Sequence, residues 1–322
     1  MAELGISLEG RAPIGELPAQ ARAAEEGGAG TLWIACHLFL RDPITSAAIA
    51  LAATTRIKVA LMAMSPFSLH PVFIAMAAAT LNERFPGRVV LCLGVGAPGD
   101  LKAAGISSPR PVATLRESIA LCRALFAGAP VAMAGELFRV EGRGLINGGD
   151  AIPIVLAASG PNMLELAGAA ADGVLISAAT SLPFVRACLE RVNKSGRSVR
   201  KIGLVYTRLR ASEQDAYDAI RRPLGFILRG AHHTENIRLS GASLDQPALA
   251  AAYAAESWEE VDRLVTDDVI RRHAACGTPA QIKAKLEDYS STGLDEVIIG
   301  GIDDTAGIVA ALAAARGSFS GA

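Results

Sequence analysis

The stretch Ala157-Ala158-Ser159-Gly160-Pro161-Asn162-Met163-Leu164-Glu165-Leu166-Ala167-Gly168 joins residue types that could do chemistry. Before it runs Pro153-Ile154-Val155-Leu156, an apolar run of strand type. After it an apolar-periodic helix runs to Ala171, followed by Asp172-Gly173-Val174-Leu175-Ile176. The join between strand and helix is a small-residue turn, with a glycine for close backbone approach and a proline at the first helical position. A helix opening this way aims free N–H groups and its positive dipole end at one spot, which suits a phosphate. An ordinary strand-to-helix turn uses the same residues, so local chemistry leaves both readings open.

Other candidates are single residues. His37, beside Cys36, could polarise a carbonyl or balance charge. A thiol is a weak acid unless its environment lowers its pKa. His70 precedes a proline-initiated helix and is expected to cap it. His232 and His233 lie in a long irregular stretch and are expected at the surface. Arg208-Leu209-Arg210 could meet an anionic group, although a solvated face is the default. The chain has no H-E-x-x-H, no paired cysteines and no G-x-S-x-G. A metal or a protein nucleophile is therefore not expected.

Composition narrows the class. The 322 residues are 51% hydrophobic with a formal net charge of −1, which argues against a nucleic-acid partner needing a basic face. Aromatic residues, at 5%, are too sparse for base-stacking platforms. Five cysteines, at 36, 92, 122, 188 and 276, form no C-x-x-C pair, so neither a disulfide framework nor a zinc site is expected. No signal-peptide pattern and no apolar run of membrane-spanning length is visible, which predicts a soluble cytoplasmic protein with no membrane partner.

Stepping along the chain, apolar runs alternate with helical patterns. Strands are predicted at Leu4–Leu8, Thr31–Cys36, Ile57–Ala63, Arg88–Val95, Ile152–Ala157, Gly173–Ser177, Ile202–Leu209 and Asp295–Gly300. Helices are predicted at Glu16–Glu26, Pro43–Ala53, Pro71–Arg84, Pro111–Ala127, Asn162–Ala171, Leu182–Val192, Glu213–Arg229 and Asp303–Ala314. The alternation implies parallel strands, and their continuous apolar character implies burial on both faces. Eight such units are those of an α/β fold of the (β/α)8 TIM barrel type, with a doubly wound open sheet as the alternative. Residues 1–322 are expected to form one barrel domain with insertions at the C-terminal mouth, at about 97–109, 130–150 and 231–275. The first is expected as a loop. The second holds a hairpin, Val131–Ala134 with Leu137–Val140. The third is a loop followed by helices around Trp258–Val265 and Asp267–Arg272. Cys36, Met62, Gly94, Ala157 and Ser177 should then lie at strand C-terminal ends around one mouth.

These residues also carry a resemblance. Thr55-Arg56-Ile57-Lys58-Val59, Pro66, His70-Pro71, Ala79-Thr80-Leu81-Asn82, Pro86-Gly87-Arg88 and Gly94-Val95-Gly96 stand in the order of the luciferase-like oxidoreductase superfamily. Ser159-Gly160-Pro161 through Gly168, Ala171 to Leu175, Gly277-Thr278-Pro279 and Gly293-Leu294-Asp295 are similar to its methylenetetrahydromethanopterin reductase branch. The resemblance implies a barrel that binds coenzyme F420, or alternatively FMN, at the C-terminal strand ends, and a homodimer. It implies that Ala158, Ser159, Gly160, Pro161 and Asn162 hold the cofactor phosphate. Met62-Ala63-Met64 would form a bulge with a non-prolyl cis peptide behind the ring. Gly94, Gly96 and Ala178 would contact the cofactor, and His37 and Cys36 are the candidate catalytic residues.

Two departures stand out. Cys36 occupies a position where relatives often carry an acid. Ser7 stands where the reductases carry a carboxylate, with Glu9 two positions on, which puts that pterin activity in doubt. The implied activity is hydride transfer between F420 and a small organic substrate roofed by residues 97–109 and 231–253. The alternatives are an FMN-dependent monooxygenase, a non-catalytic flavin-binding protein, and a phosphate-handling barrel enzyme without flavin.

Overall fold

The computed structural model describes residues 2–177 and 179–319. Eleven strands among them are numbered along the chain: β1 Glu3–Leu8, β2 Thr31–Ala35, β3 Lys58–Met64, β4 Val89–Leu93, β5 Val131–Ala134, β6 Arg139–Arg143, β7 Ile154–Ala157, β8 Gly173–Ile176, β9 Arg200–Leu209, β10 Ala275–Gly277 and β11 Glu296–Gly300. The apolar runs pair in parallel in the order β9-β11-β1-β2-β3-β4-β7-β8, and β8 pairs with β9 again. The sheet is closed, so this is a (β/α)8 barrel and the open-sheet alternative falls.

Closure sorts side chains by strand alternation. One set, including Trp33, Ala60, Cys92, Val155, Leu175, Ile202, Leu204 and Ile298, fills the barrel interior. The other set packs outward under the helices, with Leu32, Leu61, Leu91, Leu156 and Val297 wholly buried. At the end of the barrel opposite the mouth, buried Glu296 accepts from Trp33 Nε1 at 2.8 Å and pairs with Arg200 at 3.1 Å.

The helices follow residue chemistry. Asp42, Ser181, Ser212 and Thr266 cap theirs with side-chain oxygens, as such residues do at an N-terminus. His70 caps Pro71–Arg84 through Nδ1, as its position predicts.

The insertions are more ordered than expected. Residues 97–109 include a helix, Pro98–Ala103. The hairpin forms, but its second arm starts later, at Arg139. The expected loop beginning at residue 231 instead holds helices Thr234–Ser240 and Gln246–Ala254 before Trp258–Leu264 and Asp267–His273. Leu249, Val261, Val269 and Ile270 pack against Ile220, Leu224 and Leu228 of the helix Glu213–Leu228, forming a second apolar cluster. The short strand β10 then pairs in parallel with the C-terminal end of β9.

Candidate active site

Four strand ends build one side of the mouth. Ala35 is in register with Met62, and the Cys36 amide donates to Met62 O at 2.5 Å. The β3–β4 register shifts between Leu61 and Met64, and Met62–Ala63 is a cis peptide, the bulge and bond that the resemblance implied. The Gly94 amide donates to Met64 O at 3.0 Å. A Cβ on Gly94 would stand 2.9 Å from Ala63 Cβ and 3.4 Å from Ala157 Cβ. Only glycine fits there, and the rim of β3, β4 and β7 stays low and flat. Gly96, at φ +98°, follows on, with Ser65 Oγ donating to Val95 O at 2.7 Å beneath it.

The turn after β7 is next round the rim. The Ala158 amide donates to Leu175 O at 3.0 Å, tying the turn to β8. Ser159 is half-buried, and Gly160, Pro161 and Asn162 are exposed. Gly160 caps the helix Pro161–Ala170 with no side chain. The first-turn amides of Asn162 and Met163 therefore have no partner among the described residues. A Cβ on Gly160 would meet nothing within 4 Å. The approach to these donors is open, so the donor set and the space both fit an anionic group. Ala178, expected among the cofactor contacts, lies outside the described residues.

His37 follows β2 at the same rim. Its Nδ1 lies 3.5 Å from Asp100 Oδ2, in ion-pair range, on the helix Pro98–Ala103. Asp100 was missed in the sequence because it lies in a Gly/Pro-rich stretch with no strand or helix period. Burial, then Asp42 and Asp100, push the Cys36 thiol up to about 11. The thiol is neutral near pH 7, which opposes an acid–base role for Cys36 and leaves the nearby carboxylate to Asp100.

A second group faces these residues from β1 and β9. The Tyr206 hydroxyl donates to Glu9, which also pairs with Arg11 at 3.2 Å. Burial and the Glu9 charge raise the phenol well above its ordinary range. Tyr206 and Glu9 are 197 positions apart, so only the closed barrel brings them together. Arg208 is two residues beyond Tyr206 on β9, and its Nε is buried with no partner among the described residues. Of the other histidines, His233 is not at the surface as expected. It is 5% exposed, in a buried group with Asn236 and His273.

Comparison with known proteins places the chain in a family. The luciferase-like monooxygenase profile aligns with residues 2–296. The chain belongs to the luciferase-like monooxygenase family. It is thereby an oxidoreductase. Within the family it is 30% identical to the 5,10-methylenetetrahydromethanopterin reductase of Archaeoglobus fulgidus, over 88% of this chain and 89% of that one. The same enzyme of Methanolobus tindarius is 29% identical, covering 92% and 93%. Among solved structures, the coenzyme F420 dependent tetrahydromethanopterin reductase from Methanopyrus kandleri superposes with a TM-score of 0.90. It shares 21% identity and covers 99% of each chain. No helix among the described residues is long and apolar enough to cross a membrane.

Proposed function

We propose that this chain transfers hydride between coenzyme F420 and a small organic substrate at the barrel mouth. The observation that carries the reading is the open, side-chain-free helix start at Gly160–Met163, on the same rim as the flat Met62–Met64 and Gly94 surface. Family relatives that are F420-dependent by name favour F420 over FMN. When bound, F420 supplies a carbon centre that donates or accepts hydride and reacts poorly with oxygen.

The chain's own residues supply position and polarity. The amides of Asn162 and Met163, with Ala158 to Pro161 around them, hold the phosphate. Met62, Ala63 and Met64 back the ring, and Gly94 and Gly96 leave room for it. His37, with Asp100 3.5 Å from its Nδ1, would be placed to balance negative charge on the cofactor. The segments 97–109 and 231–253 would cover the opposite face and exclude water, which hydride transfer at about 3–3.5 Å requires. Cys36 contributes shape rather than a proton. One barrel domain and a homodimer belong to the same proposal.

Binding of F420 and of FMN to the purified protein, followed by fluorescence, tests it. F420 is expected to bind, with reduced FMN consuming no oxygen above background. FMN binding without F420 binding, together with oxygen consumption, would establish the monooxygenase reading instead.

A further inference from the structure

Round the closed sheet, β9 is the fourth strand from β3 in either direction, through β4, β7 and β8 or through β2, β1 and β11. The inner face of β9 therefore looks across the mouth at Met62–Met64. Ile202 and Leu204 of β9 lie in the barrel interior and Tyr206 packs on that cluster. Strand alternation puts Arg208 on the same inner face, one step nearer the rim. It is a cation whose Nε is shut off from water with no partner among the described residues. Arg208 as a whole is half-buried, and buried polar atoms in native proteins are nearly always paired, so its unpartnered Nε is an exception.

The surrounding charges are accounted for. Glu9 is engaged by Tyr206 and Arg11. Asp303 lies near both Glu9 and Arg208; burial and the Glu9 charge raise its pKa, while Arg11 and Arg208 attract its carboxylate. Asp100 faces His37 on the β2 side. None of these carboxylates forms an ion pair with Arg208 among the described residues.

We propose that Arg208 anchors an oxyanion of the second substrate, so that the compound oxidised or reduced is a small organic carboxylate or phosphate ester. The assignment rests on the hydride-transfer reading for its orientation, because a cofactor held against β3 would leave its substrate side toward β9. A guanidinium suits carboxylate and phosphate equally.

The test is an NMR titration of the arginine Nε–H resonances of the full chain with sodium acetate, inorganic phosphate and, as ionic-strength control, sodium chloride. The Arg208 resonance, assigned through its own backbone, should shift saturably with acetate or phosphate and not with chloride. Which anion acts tells carboxylate from phosphate. Arg208→Gln should weaken that binding roughly 10- to 100-fold, the worth of a charge-assisted hydrogen bond, while F420 affinity stays within twofold. An identical response to chloride, or no response, overturns the proposal. So does a loss of F420 affinity in Arg208→Gln comparable to the loss of anion binding, which would give Arg208 to the cofactor. If the wild-type protein binds no F420, the hydride-transfer reading fails, but the anion titration still reports on Arg208.

Discussion

At Gly160 the backbone sits at φ −81° and ψ 151°, open to any residue, and a Cβ would meet nothing within 4 Å. The fold itself does not require glycine here. The sequence suggested close backbone approach, but no residue of the chain comes that close, and the glycine is exposed. Gly160→Val should keep wild-type unfolding behaviour and lose about 1–3 kcal/mol of F420 affinity, the scale of one or two charge-assisted hydrogen bonds. Isothermal titration of the two proteins measures it, and equal affinities would remove the phosphate from this turn. Cys36 gives a second residue-scale expectation. It alone of the five cysteines is not fully buried, yet its thiol is pushed up to about 11. Iodoacetamide at neutral pH should alkylate it about tenfold or more slowly than a free thiol, the deficit in thiolate being only partly offset by its greater nucleophilicity. Fast labelling would contradict the neutral thiol. His37 was legible as a candidate because it ends an apolar strand run. Its partner Asp100 was not, since it lies in a loop-like stretch; Arg208 was legible as a cation able to meet an anion, but not as an unpaired buried donor, which is defined by what surrounds it in space.

At the scale of elements, the barrel strands and their helices were readable because burial on both faces leaves continuous apolar runs, and because proline opens many of the helices. The insertion at 231–275 was harder. Gln246–Ala254 is nearly uniform in alanine and leucine, so no polar face marks its period. Thr234–Ser240 is too short to show one. Their docking depends on a buried polar group. Asn236 Nδ2 donates to Ala179 O at 2.7 Å, its Oδ1 accepts from the Ser181 amide at 2.8 Å, and His273 Nδ1 lies 2.9 Å from Ala179 O. This ties the insertion to the loop after β8, beside the mouth. Burial pushes His233 down to about 3, helped by His232 and His273, and pushes His273 down to about 4, helped by Lys285 and Arg272. The folded form holds both imidazoles neutral where the unfolded chain, near 6.5, takes up protons. Their stability contribution is thus intact above about pH 6.5 and falls as pH drops toward 4, by about 2 kcal/mol per group at pH 5. Amide exchange of residues 234–240 and 267–273, corrected for intrinsic rate, should rise between about pH 7 and 5 before that of the barrel strands. Uniform protection across that range would show that these histidines do not govern the insertion.

Over the whole molecule, the closed sheet separates a working end from a holding end, as (β/α)8 barrels do. Every residue proposed for chemistry lies at or beyond a strand's C-terminal end. The opposite end is closed by Glu296, 1% exposed, with Trp33 Nε1 at 2.8 Å and Arg200 at 3.1 Å. Gly5 makes room for this carboxylate, since a Cβ there would stand 2.5 Å from Glu296 Oε1. Removing the carboxylate strands the indole N–H of a fully buried tryptophan and opens a void beside it. Glu296→Ala should therefore cost about 3 kcal/mol, combining an unsatisfied buried donor with a cavity. Glu296→Gln keeps an acceptor for Trp33 and should cost less, about 1 kcal/mol. Urea unfolding of both variants gives these values, and F420 affinity measured on the folded fraction gives the discriminating one. The affinity should match wild type in both, because the ion pair touches strand starts while the cofactor meets strand ends. A large affinity loss in Glu296→Gln, with stability nearly intact, would mean that the barrel transmits a change at its base to its mouth, and the separation of the two ends would have to be given up.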